Sequence, residues 1–157
     1  MDLLARIITN VVLAMFLFLL LAGINDSSRE WQPVVVRILI LPIAGIAWGY
    51  HPSSYVVGPR SLGIKRPFGS INIPIADIES VSRVPARDVV TGIRLFGSGG
   101  MFGYFGIYTT WKYGKVSMWA TDRTKLILIE TAKRKYVISP DKPEEMILEL
   151  KLQSKML

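Results

Sequence analysis

The chain opens on two apolar runs separated by a short polar stretch. Leu3 to Gly23 is apolar apart from Arg6, Thr9 and Asn10, and from Val11 to Leu21 it contains no polar residue. Val34 to Tyr50 is nearly as uniform, with Arg37 close to its start and Pro42 and Gly45 inside it. Neither run alternates, and neither shows a clear polar face. A bilayer core about 30 Å thick takes about 20 such residues as a helix. The pattern therefore predicts a transmembrane hairpin over residues 1–50, with helices at about 3–23 and 34–50. Arg6 and Arg37 can snorkel near the ends, and Trp31, Trp48 and Tyr50 fall where an aromatic belt would lie. A cleaved signal peptide fits less well, because MDLLAR has no net positive charge.

After Tyr50 the period changes. Short segments rich in Val, Ile, Thr and Tyr are punctuated by Gly and Pro, which is the mark of an antiparallel β domain. Strands are expected at Tyr55–Val57, Leu62–Arg66, Ile71–Ile75, Ile78–Val84, a short Ile93–Phe96, Phe102–Tyr113, Lys115–Ala120, Leu126–Thr131 and Lys135–Ser139. Pro74 makes its piece an edge or an irregular strand. LILIET is apolar enough to be covered on both faces. Gly97–Gly100 reads as a flexible loop. PEEMILELKLQ reads as a helix, with Asp141 as N-cap and Glu144 in capping-box position. Met146, Ile147, Leu150 and Leu157 would close an open barrel end. The fold class is thus membrane-anchored: two N-terminal transmembrane helices, then a mainly-β half-open barrel over 51–157 with a C-terminal helix.

Charge refines the orientation. The chain has 157 residues, 19 Lys and Arg against 12 Asp and Glu, a net charge of +7 and a mean hydropathy of +0.36. Arg6, Arg29 and Arg37 balance Asp2, Asp26 and Glu30, so the excess falls entirely after residue 50. Arg6, Arg60, Lys65 and Arg66 flank the helices on one side, Arg29 and Arg37 on the linker side. The positive-inside rule then predicts a multi-pass bacterial inner-membrane protein with both termini cytoplasmic.

The tyrosine-led strand, LGIKRPFGSINIPIADIESV and KYVISPDKPEEMILEL together resemble the bacterial pleckstrin-homology-like (PH) domains. The likeness centres on INIPIADIESV and covers roughly residues 52–153. FGSGGMFGYFG and SPDKPEEMI resemble an uncharacterised branch of that family. The resemblance implies a seven-stranded bent barrel closed by a C-terminal helix, in a family that commonly carries N-terminal membrane helices. Basic residues spread over the first hairpin, as in inositide-binding relatives, are represented here only by Arg60, Lys65 and Arg66.

Chemistry-bearing residues are sparse. There is no cysteine and one histidine, which removes thiol nucleophiles, Cys-based zinc sites and two-His metal motifs. Gly97, Gly99 and Gly103 loosely echo a dinucleotide fingerprint. Such a fingerprint needs a helix after it to receive the pyrophosphate, whereas Tyr104–Tyr113 reads as strand. Asp77, Glu79, Asp88 and Asp122 read as solvated or turn-capping carboxylates. His51 beside Ser53 and Ser54 does not make a triad by adjacency. No enzyme, cofactor or metal is expected, and nucleic acid would want a denser basic stripe. Binding remains. Met101, Phe102, Tyr104 and Phe105 are candidate contacts for a partner or the bilayer. Arg60, Lys65 and Arg66 are candidates for anionic lipid heads, and an exposed strand edge is a further means. The expected function is a non-enzymatic membrane-anchored module that binds a protein partner, itself or anionic lipid heads. The alternative is an accessory or regulatory subunit of a larger membrane complex, packed through Asn10 and Arg37. A small-molecule ligand is not expected.

Overall fold

A computed structural model describes residues 1–22, 32–90 and 92–155. Two helices, α1 (Leu3–Ala22) and α2 (Gln32–Tyr50), precede the β domain. A small antiparallel sheet comes next, of β1 (Ser54–Val57), β2 (Ser61–Lys65) and β3 (Ser70–Pro74). A larger sheet contains β4 (Ile78–Arg83), β5 (Ile93–Gly100), β6 (Gly103–Thr110), β7 (Gly114–Ala120), β8 (Ile127–Thr131) and β9 (Lys135–Ile138). Its order is β4-β8-β9-β7-β6-β5, antiparallel except where β7 meets β9. Helix α3 (Ala86–Val90) links β4 to β5, and α4 (Pro143–Lys155) ends the domain.

Two cores explain why these segments fold so. Ile127 and Ile129 of β8 point into one core, with Leu62, Ile64, Ile73 and Ile75 from the small-sheet region. Ile147 and Leu150 of α4 close it, as the apolar spacing in the tail predicts. Leu126 and Leu128 face a second core with Val89 of α3, Tyr104, Met118 and Ala5 of α1. LILIET is thus covered on both faces because helices lie on both sides of the large sheet. Leu157 lies outside the described residues. The helix start differs from expectation. Met146 N donates to Lys142 O at 3.2 Å, so Lys142 holds the cap position before Pro143. Asp141 instead lies 3.8 Å from Lys125 Nζ.

Gly97–Gly100 is not a loop. It belongs to an eight-residue β5 that pairs residue for residue with β6 from Phe96 to Gly100. Gly97 faces Gly106, at φ +115° and +123°. A Cβ on Gly97 would sit 2.0 Å from Phe105 O, and one on Gly106 2.1 Å from Phe96 O. The glycines are there because two backbones approach more closely than side chains permit.

The expectation of a transmembrane hairpin is corrected. Among the described residues, no helix is long and apolar enough to cross a membrane. The start of the first apolar run is spent on the β domain. Asp2 caps α1 by accepting from Ala5 N at 2.8 Å, and Ala5 and Thr9 are buried. Beyond Thr9, α1 extends for only roughly 20 Å, short of a bilayer core about 30 Å thick. The multi-pass inner-membrane localisation falls with the spans, as does the integral contact with a lipid bilayer. Most of the polar linker, with Arg29 and Trp31, lies outside the described residues, as does the side chain of Arg37.

Candidate binding surface

β5 is the last strand of its sheet, so one of its backbone edges faces away from β6. Ile93, Leu95 and Phe96 on it are 65%, 58% and 77% exposed. Natural edge strands are usually blunted by charge, proline or a covering element. Arg94 is the one charged side chain on β5, and it folds back along the strand, with Nη1 2.3 Å from where a Gly99 Cβ would be. A bulge at Leu95 adds local twist. Among the described residues the edge is covered at its far end, where the Ile8 side chain lies over Gly100 and Thr9 Oγ1 donates to Gly100 O.

The Met101–Phe102 turn joins β5 to β6. Ser98 Oγ donates to Met101 O at 2.7 Å, and Phe102 N donates to Thr9 Oγ1 at 2.8 Å. Phe102 sits at φ +58°, and its ring lies 6.1 Å from the His51 ring. Met101 and Phe102 are half-buried, while Tyr104 and Phe105 are buried. Tyr104 belongs to the second core, and Phe105 stacks on Trp119 at 6.4 Å. Those two therefore offer no contact surface. The sequence reading missed Ile93, Leu95 and Phe96. An alternating IRLF followed by GSGG, a two-residue turn and GYFGIY is itself a hairpin signal that could have found them.

The basic residues are not gathered. Arg60 lies in the turn before β2 and Lys65 at its far end, roughly 17 Å away along an extended strand. Arg66 is taken up by packing. Its guanidinium carbon lies 4.9 Å from the Trp119 ring centroid and 5.2 Å from that of Tyr50, a double cation–π contact.

Nor do the other polar residues assemble a reactive centre. Asp88 pairs with Lys112 Nζ at 2.8 Å, and that bond is the main cause holding its carboxyl below the usual range. Asp122 accepts from Thr124 N and Oγ1, capping the 3-10 turn Arg123–Lys125. Asp77 and Glu79 are exposed. His51 Nδ1 pairs with the Trp48 carbonyl, and Ser53 Oγ donates to Lys65 O. Among the described residues, no cluster of three or more His, Asp or Glu could hold a metal.

A small antiparallel sheet, a larger strand array and a closing C-terminal helix define a PH-like β domain, a class that generally binds rather than catalyses. A family model described as Bacterial PH domain matches residues 53–154, and the chain belongs to that family. No curated protein matches, and no solved structure matches. PH-like domains are generally non-catalytic binding modules, and this chain carries one over those residues.

Proposed function

We propose that this domain captures a protein partner by strand addition along β5. The observation that supports it is the open edge of that strand, with Ile93, Leu95 and Phe96 standing out from it. Main-chain bonds along such an edge supply affinity, and alternate side chains supply specificity. A second copy of the chain qualifies as partner, because two β5 edges can pair about a two-fold axis. Anionic lipid heads are the weaker reading, since Arg60 and Lys65 lie at opposite ends of β2 and Arg66 is packed between rings.

A photo-cross-linking amino acid placed at Ile93 in the full chain tests this inside cells. A discrete adduct is expected from Ile93 and not from the control Lys133, on the β8–β9 turn. Phe96→Lys should abolish it. Equal or absent adducts at both positions would overturn the proposal.

A further inference from the structure

A surface-open cavity, a groove of about 780 Å³, lies between the first turns of α1 and the segment joining β4 to α3. Leu4 and Ile7 form one wall, and Val84, Pro85 and Ala86 form the other. Both walls are held in place by the polar contacts around them. Val84 N donates to Leu126 O at 3.2 Å where β4 ends. Across the gap, Asp2 N donates to Thr121 O at 2.8 Å, and the Asp2 carboxylate anchors the start of α1.

Two guanidinium groups and one carboxylate complete the lining: Arg83, Arg123 and Asp2. They are not equivalent. Arg123 Nε is 3.1 Å from Asp2 Oδ2, and its guanidinium lies 5.0 Å from the Tyr104 ring centroid, so its charge is already matched. Arg83 donates from Nη2 to Thr124 O at 3.3 Å. Its ionic partner, Glu144, is 3.5 Å from Nε, outside the cavity lining, and its side chain is 78% exposed. Water screens a pair of that kind strongly. The lining thus carries one surplus positive charge beside two apolar walls.

We propose that this cavity binds a medium-chain fatty acid, with its carboxylate on Arg83 and its chain along Leu4, Ile7, Pro85 and Ala86. The volume lies within the roughly 300–1,000 Å³ of small-molecule sites. A guanidinium meets a carboxylate through two parallel N–H···O bonds. One carboxylate balances the surplus charge, whereas a phosphate monoester carries about −1.5 to −2 and would leave negative charge beside Asp2. None of the lining residues belongs to β5, so the cavity and the strand edge are separate surfaces.

Calorimetric titration of the full chain with dodecanoate, below its micelle concentration, tests the proposal. Saturable binding of one molecule per chain is expected, weakened about tenfold by Arg83→Gln. Octanoate should bind more weakly by about fourfold for each methylene removed from contact. Ala86→Trp, which fills the cavity from one wall, should abolish binding. Leu4→Trp does the same from the other wall, so misfolding of one variant leaves the test intact. Non-saturable uptake, or uptake unchanged in a folded Trp variant, would show adsorption to the exposed helix faces and overturn the proposal. Tighter binding of dodecyl phosphate than of dodecanoate would overturn the singly charged head.

Discussion

The Asp2 carboxylate binds Arg123 twice: Oδ2 accepts from the Arg123 backbone N and from its Nε, each at 3.1 Å. Its other oxygen caps α1 through Ala5 N. One side chain therefore starts a helix and fastens it to the 3-10 turn after β7. The first turns of the helix are thereby tied to the β domain.

Acid should loosen that attachment. Burial pushes the Asp2 carboxyl up, but bonds from Ala5 N and Arg123 N and the Arg123 guanidinium outweigh it and hold the carboxyl below its ordinary value. A depressed carboxylate stabilises the folded state fully above its unfolded pKa of about 4. That stability is lost as pH falls through the lower folded value. Urea unfolding between pH 3 and pH 7 should show the loss, and Asp2→Asn should be less stable at neutral pH and lack this acid-side step.

Thr9 is the second fastening. Its Oγ1 donates to Ala5 O at 2.7 Å and accepts from Phe102 N at 2.8 Å, in a buried position. Thr9→Val keeps the shape and strands the Phe102 N–H. A loss of about 1–3 kcal/mol is expected in equilibrium unfolding, with Thr9→Ser close to the parent chain.

The C-terminal helix should divide sharply by face. Leu150 is 0% exposed in the first core, and Leu148 is 61% exposed. Leu150→Ala should cost about 2–5 kcal/mol, and Leu148→Ala less than about 0.5 kcal/mol. Chemical denaturation of both variants checks the contrast.

Alkali should act through Tyr104. Burial first, then the negative charge of Asp2, pushes its phenol up to about 12. The folded state keeps a proton that the unfolded chain begins to release near pH 10. Stability should therefore fall as pH rises from about 10 to 12. Burial also pushes the phenols of Tyr55 and Tyr108 up, so ultraviolet titration should show several tyrosines ionising late, and Tyr104→Phe should remove one of them and shrink the alkaline loss of stability.

Much of the β domain was legible because its strands alternate simply. Ile71, Ile73 and Leu62, Ile64 pair across β2–β3, and β8 carries a branched residue at nearly every position. The glycine stretch misled because its reasons lie elsewhere in the fold: Gly97 faces Gly106 on β6, and Gly100 lies under Ile8 of α1. Sequence adjacency likewise grouped Arg60, Lys65 and Arg66, which strand β2 and two aromatic rings keep apart. In the N-terminal run, length and apolarity dominate the pattern, while the informative residues are the few polar ones. Asp2 and Thr9 look incidental in sequence, yet they tie α1 to the strands. Helix α3 is five residues long, too short for a periodic signal.

Amide hydrogen exchange across Ile93–Gly99 tests strand capture most directly, measured on the chain alone and in the complex isolated through the Ile93 cross-link. Strand addition predicts slowed exchange within β5 in the complex, with the β1–β3 sheet unchanged. Equal exchange in β5 with and without the partner would contradict it.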